Sequence, residues 1–557
     1  MYSSGTTRCA IVVLWIVLHA LQWQTFARDD DLSRHRMTAI AASENRTTFC
    51  EKESHPSRND ICTLLPVDVS ASFIWNQKHA NNRNGDVSIL NNLNAYQLLR
   101  GVRQVHSQNS WRRLWEDRTS DKDSPFRVWV FANPLDVQQS NDCSQGQTCP
   151  SPWLQLLNET ANQYCHLLNI EWTIFDWSFA TTELYTQLLT AQRGKEQGPD
   201  LIFHALSRHD LRYANMENRD PHTVLWEEER RRVLQDFVRA GRRSNPCRDT
   251  VIIFVDDYVP SMQPSLSLWV EQVNSRMLQQ ISEYYRTGLI SYSQVVTELM
   301  FLRKEYRSLL IPNDLGDFGE IAHNVLAHCV LYGLLHFAVT FCNTKDPMTA
   351  TADVEPMVPA DITKRVKTIV PPVLDAEQTL LTVSGEWILQ EELERQFQER
   401  YCTIKNNNPP SNCLAAFYAG QSLATLGNGV SPDGWMLSPE GILRFRGSAN
   451  LRWSFNGNEE VQTGYEGGRI RIFVRLQEKN DMQFTWTVSS QNMSTTGSFS
   501  TQNHTLSSTI AVPMVEQLPD RIENDLSFRL ECSDPVDTVE IVGLFLCQEE
   551  PIQRITS

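Results

Sequence analysis

The sequence has no positive charge excess, no C-x-x-C pair, no visible tandem repeat and only one hydrophobic run of note, at its N-terminus. Each absence excludes something. A formal net charge of −16 leaves no basic face for a phosphate backbone, so nucleic acid is not expected as a partner. The one dense charge cluster, Glu227 to Arg232, is mixed in sign and reads as a solvated helix face. Without C-x-x-C spacing, the cysteines do not suggest a zinc site, and neither metal nor cofactor is expected. A chain of 557 residues is too long for a single core and predicts two or three domains.

The chain does carry the marks of export. Arg8 precedes the apolar stretch CAIVVLWIVLHALQW, and Thr25 and Ala27 follow at small-residue spacing. This predicts a secretory signal over 1–27, cleaved near Ala27, with an uncleaved type II anchor in the Golgi or ER as the alternative. Membrane contact is expected only in the second case. Cys9 lies in that segment. The other twelve cysteines, an even number, suit a disulfide framework. Neighbouring cysteines suggest Cys50–Cys62, Cys143–Cys149, Cys402–Cys413 and Cys532–Cys547, with Cys165–Cys247 and Cys329–Cys342 left over. Connectivity is not determined by sequence. The sequons at Asn45, Asn158, Asn492 and Asn503 fit a glycoprotein on the same route.

Beyond the leader, 28–125 reads as a polar, irregular extension with a helix near 88–103. From 126 to 342 strands and helices alternate: RVWVFA (127–132), IEWTIFD (170–176), DLIFHAL (200–206), TVIIFVDDY (250–258) and GLISYSQVV (288–296) are strands. Their continuous apolar character fits strands buried on both faces, and the alternation predicts an α/β, doubly wound, mostly parallel sheet. Helices are expected at 152–168, 226–238, 266–286 and 319–339. Residues 343–400 carry five prolines within 347–372 and read as a linker. In 401–557, RIRIFVRL, MQFTWTVS and LSFRLEC alternate apolar and polar residues, which predicts an antiparallel β-sandwich.

The order of segments from 126 to 547 resembles the SGNH/GDSL hydrolase superfamily, in the secreted plant, fungal and algal form with a C-terminal β-domain. The stretches that carry it are RVWVFANPLDVQQSNDC, GPDLIFHALSRHDL, WEEERRRVLQDFV, GLISYSQVV and NDLGDFGEIAHNVLAHC, followed by GWMLSPEG and GGRIRIFVRL. No single motif is intact. The resemblance implies a serine nucleophile on the first βα turn, a histidine base with an aspartate three residues before it, and glycine and asparagine oxyanion donors. Carried over, the nucleophile position falls on Pro134, which has neither hydroxyl nor N–H. The asparagine position falls on His209, ahead of a retained Asp210. The catalytic histidine falls on Asp317, and its aspartate on Asp314. This pattern implies a catalytically degenerate fold.

Rescue candidates remain. Glu320 and His323 have acid-x-x-His spacing, against a plainer reading as first-turn helix residues. Ser140, Ser144 or Ser178 could serve as a displaced nucleophile, against ordinary loop hydroxyls. His209 and Asp210 could form an acid/base pair at the sheet's carboxyl edge. Trp177, with its aromatic neighbours, could line a sugar or acyl pocket, although core packing is the commoner role for such residues. The expectation is a secreted, SGNH-like glycoprotein that binds a glycan or a cell-surface protein without turnover. The alternatives are an active carbohydrate or acyl esterase and a Golgi-anchored polysaccharide O-acetylation protein.

Overall fold

The computed structural model describes residues 101–103, 126–132, 153–154, 170–175, 177, 180–192, 198–216, 224–245, 250–258, 264–302, 310 and part of 322–336 in the N-terminal portion. In the C-terminal portion it describes 413–418, 430–438, 442–454, 468–475, 482–491, 493–500, 509–518, 525–534 and 537–547. The predicted leader, the cysteines from Cys50 to Cys247, Cys342, Cys402, the four sequon asparagines and the 343–400 segment lie outside these residues. No helix among the described residues is long and apolar enough to cross a membrane.

The first sheet has six strands: β1 (Val102–Arg103), β2 (Phe126–Ala132), β3 (Ile170–Phe175), β4 (Leu201–Ala205), β5 (Val251–Asp256) and β6 (Gly288–Ser291). Their order is β1-β6-β5-β4-β2-β3. All neighbours are parallel except the short β1, which runs antiparallel on β6. Val102 and Arg103, which the sequence places at the end of a helix near 88–103, are instead strand and join the sheet. Five helices accompany the strands: α1 (Thr182–Gln192), α2 (Ser207–Met216), α3 (Val224–Ser244), α4 (Pro264–Tyr285) and α5 (Tyr292–Leu302). Residues 288–296 are therefore not one strand, because the chain turns into helix at Tyr292. The described residues of 322–336 are also helical.

Both faces of this sheet are covered. Trp129, Phe131, Ile202, Ile252, Phe254 and Leu289 meet α1, α3 and α4 in one apolar cluster. On the other face a Cβ on Gly333 would press into Ile290 at 2.6 Å, so the 322–336 helix lies close against β6. Double coverage explains why these strands are apolar at every position.

The second sheet has nine antiparallel strands: β7 (Cys413–Tyr418), β8 (Val430–Leu437), β9 (Leu443–Ser454), β10 (Arg469–Arg475), β11 (Gln483–Ser490), β12 (Met493–Ser500), β13 (Thr509–Val515), β14 (Asp525–Cys532) and β15 (Thr538–Cys547). It folds on itself as a sandwich because β9 serves both halves. Residues 443–446 pair with β15, and residues 448–454 pair with β14. Gly447, with φ +70°, stands at the change of partner. A bulge at Asp433/Trp435 on β8, beside Gly434 at φ +78°, follows the same bend.

The two units share a core. Leu184, Leu188 and Leu189 of α1 join Ala415, Phe473, Val542 and Phe545 of the sandwich in the cluster under the parallel sheet. Glu183 and Arg471 approach to 3.5 Å across the same contact. Strand β15 is buried at eight consecutive positions, since one side faces the sandwich interior and the other faces α1. A disulfide joins Cys413 to Cys547, directly opposed on β7 and β15, with Gln187 of α1 against it. This corrects the neighbour-based pairings Cys402–Cys413 and Cys532–Cys547. Cys329 and Cys532 carry free thiols, so the Cys329–Cys342 pairing is not formed either. Sequence proximity fails here because antiparallel pairing brings together residues 134 positions apart.

Candidate functional site

In an open parallel sheet, ligands bind outside the carboxyl ends of the strands where the strand order reverses. The five parallel strands lie in chain order second, first, third, fourth, fifth, so the reversal falls between β2 and β4, at Ala132 and Ala205. The described groups around that point come from the start of α1, the end of β4 with the start of α2, the end of β5, the start of α5 and the 322–336 helix.

Four side chains form a buried polar cluster beneath the reversal. Thr182 Oγ1 lies 2.9 Å from His204 Nε2 and donates a short hydrogen bond to Asp210 Oδ2. The Thr182 backbone N–H donates to the other Asp210 oxygen at 3.4 Å. Arg230 Nη1 donates to Asp210 Oδ2 at 2.5 Å. Burial acts to raise the Asp210 pKa, but Arg230, His209 and Thr182 outweigh it and hold the carboxylate below its ordinary value. Burial, helped by Arg230, pushes His204 down to about 3, so this imidazole is neutral.

Counting protons assigns the direction of each bond. A hydroxyl has one hydrogen, and Thr182 gives it to the ionised Asp210. His204 must then be the donor to Thr182, through Nε2–H, with its Nδ1 lone pair left without a partner. A nucleophile needs the opposite arrangement, with the hydroxyl donating to the imidazole and the acid behind the imidazole. Thr182 and His204 are also fully shielded from solvent. Arg230 belongs to the mixed-charge run expected to be a solvated face. Glu228, Glu229 and Arg232 are exposed as expected, but Arg230 turns inward to Asp210.

A second cluster stands at the ends of β5 and β6. Asp256 accepts from Asn274 at 3.2 Å and from Ser291 at 3.1 Å, while Ser291 and Ser293 hydroxyls lie 3.0 Å apart. Asp257 accepts the Arg208 backbone N–H at 2.9 Å, capping the first turn of α2 from another element. Burial raises Asp256 to about 6, with Glu271 adding to the shift, and raises Asp257 to about 7 against the pull of the Arg208 N–H. His323, buried and near the Arg208 charge, is pushed down to about 4, chiefly by burial. Among the described residues, no group of three or more His, Cys, Asp or Glu side chains is placed to hold a metal ion.

The residues singled out in sequence separate accordingly. Pro134, Ser140, Ser144, Ser178, Asp314, Asp317 and Glu320 lie outside the described residues. His209 and Asp210 share the first turn of α2, but Asp210 is held by Arg230 and Thr182, which argues against the acid/base pair. His323 falls beside Arg208. Trp177 is anchored at the core: its backbone N–H donates to Tyr185 Oη at 3.2 Å and its ring packs on Phe175 and Tyr185. Tyr185 Oη donates to the Phe175 carbonyl at 2.9 Å, tying α1 to the end of β3. Sequence reasoning missed Thr182, Tyr185, His204, Arg230, Asp256 and Asp257. The paired aspartates closing an apolar strand, and a histidine inside LIFHAL, were the available signals.

No family model matches the sequence. No curated protein matches it either. Among solved structures, a two-domain esterase active on acetylated mannans is similar at 12% identity, with a TM-score of 0.41, over 81% of this chain and 99% of the other. TesA is similar at 15% identity and a TM-score of 0.21, over 29% of this chain and 75% of its own. The xylan-binding module CBM15 is similar at 10% identity and a TM-score of 0.19, over 25% of this chain and 97% of its own.

Proposed function

We propose that this chain is an exported, SGNH hydrolase-like glycoprotein whose α/β unit serves binding rather than ester hydrolysis, with a glycan or a protein surface as ligand. One observation carries the reading. At the strand-order reversal, the Thr182 hydroxyl, within reach of His204, donates its one hydrogen bond to the Asp210 carboxylate and is sealed from solvent. Such a set stabilises a fold and offers no attacking oxygen. The assignment of Pro134 to the nucleophile position supports the same reading. Loss of several members of a catalytic unit leaves little for the rest to do.

The test is turnover. The full-length protein from a secretory host is expected to leave aryl acetates unhydrolysed, to resist serine-hydrolase probes and to retain glycans on an array. Acetate release that disappears in Ser140→Ala or Ser178→Ala would reject the binding reading in favour of an esterase. An N-terminus retained in the mature chain would favour the Golgi-anchored O-acetylation reading.

A further inference from the structure

Strand β5 ends in two consecutive acids that fasten three helices to the sheet. Asp257 accepts the Arg208 backbone N–H, in the first turn of α2, at 2.9 Å. Asp256 accepts from Asn274 of α4 at 3.2 Å and from Ser291 at 3.1 Å. Ser291 in turn accepts the Gln294 N–H, in the first turn of α5, at 3.4 Å. A third acid, Glu271 of α4, lies 3.2 Å from the Thr297 hydroxyl of α5, and Ser293 stands between it and Asp256. One joint therefore sets where α2, α4 and α5 meet the carboxyl end of β5.

Charge is not matched in this joint. All three acids are buried, and every donor to them is a neutral amide or hydroxyl. Among the described residues neither Asp256 nor Glu271 has an ion pair. The other buried acids differ, since Asp210 holds Arg230 and Glu540 holds two arginines. Groups on the surrounding elements do not supply the missing charge. Arg208 of α2 acts on Asp257, but burial outweighs it. Burial keeps Tyr292, which opens α5, and Cys329, on the 322–336 helix, in their neutral forms. His323 on that helix is neutral above about pH 4. A carboxylate sealed away without a counter-charge is costly, so the closed joint favours protonated acids.

We propose that this joint is a pH-operated latch, which holds the ends of α2, α4 and α5 against the sheet while its acids carry protons and lets them open as the acids ionise. Opening returns the carboxylates to water, where their ordinary value of 3.8 applies. In the closed joint burial raises Asp256 to about 6 and Asp257 to about 7. Closure is thus fully favoured below about pH 4 and weakens as pH rises to about 7. His323, lowered from 6.5 to about 4, acts in the opposite sense, but one histidine does not offset two acids. These helix ends border the carboxyl edge of the sheet, where ligands meet such folds. The edge is therefore shut in acid and accessible near neutral pH, whether the unit binds its ligand or hydrolyses it.

The experiment is amide hydrogen exchange on the full chain from pH 4.5 to 7.5, in zero and low urea. Rates are converted to protection factors, which removes the intrinsic effect of pH on exchange. Protection at 208–210, 255–258 and 292–294 is expected to fall at least about tenfold across this range, through openings that low urea does not accelerate. Asp256→Asn combined with Asp257→Asn is expected to flatten the profile. Glu271→Gln is expected to make the fall shallower, because the Glu271 charge adds to the shift of Asp256. Three results would each overturn the proposal: protection in the parent chain that does not change with pH, exchange at the joint only through urea-sensitive global unfolding, or a fall that persists undiminished in these variants.

Discussion

The α/β unit and the sandwich fill their interiors with different chemistry. Among the described residues the sandwich buries few polar side chains, Ser438, Thr509 and Glu540. Its buried acid, Glu540, is neutralised by Arg444 at 2.6 Å and Arg475 at 3.5 Å. The α/β unit instead buries Arg230, Asp210 and His204 near one strand end, and Asp256, Asp257 and Glu271 near others. Apolar packing stabilises without further conditions, whereas a buried ion pair roughly breaks even and becomes a liability once half of it is removed. The sandwich interior therefore reads as scaffold. The polar interior of the α/β unit lies where ligands meet this kind of sheet, the place where costly groups are ordinarily kept for a purpose.

The contrast can be tested by breaking each side in turn. The largest effect is expected from Arg230→Met. It strands the Asp210 carboxylate and should lower the unfolding free energy by about 3–5 kcal/mol in denaturant titration. The double variant Arg230→Met with Asp210→Leu should recover much of that loss, because no unpaired charge remains. A double variant as weak as the single one would show that the pair does more than neutralise itself.

Asp257→Asn should act in the opposite sense and depend on pH. The folded pKa of Asp257 is raised from 3.8 to about 7, so the folded state holds this proton more tightly than the unfolded chain. Its stabilising contribution is complete below about pH 4 and lost as pH rises to about 7. An amide keeps the acceptor for the Arg208 N–H without the ionisation. Its advantage over the parent should therefore grow from pH 4 to pH 7, reaching roughly 4 kcal/mol by linkage, and then level off. A gap in melting temperature that stays constant with pH would contradict the assignment. His204 and His323, pushed down to about 3 and about 4, run the other way. Their contribution is whole above about pH 6.5 and declines as the pH falls toward those values.

The smallest effect is expected at the shared core. Val542→Ala removes two methyl groups from the β15 face against α1 and should cost about 2 kcal/mol in transfer and cavity terms. Its loss should be independent of pH, which separates apolar scaffold from ionisable interior in a single set of melting curves.

Much of the architecture was legible because burial repeats along the chain. The runs at 127–132, 200–206 and 250–258 are apolar at almost every position, as strands covered on both faces must be, and the alternation in RIRIFVRL and LSFRLEC marks one-sided burial. Strand β12, reading MSTTGSFS, was not legible, since an edge strand has little to bury and its period is carried by hydroxyls. Strand β7 was not singled out because its packing against α1 depends on residues more than two hundred positions earlier. The candidate site was harder still. Thr182, His204, Asp210 and Arg230 sit on four different elements, and no local pattern states that a threonine opening a helix will meet a strand histidine. Arg230 was misplaced because its neighbours in EEERRR are solvated, and one helical turn inward reverses the environment.

The two-sided burial of β15 has a consequence for how the chain matures. Leaving the ribosome, α1 emerges some 350 residues before the strand that covers it. Through that interval Leu184 and Leu188 have no lid, and such long-range closure is intrinsically slow. The unfinished molecule is thus a natural client for chaperones, and its vulnerability ends only when one late strand completes two structures in a single event.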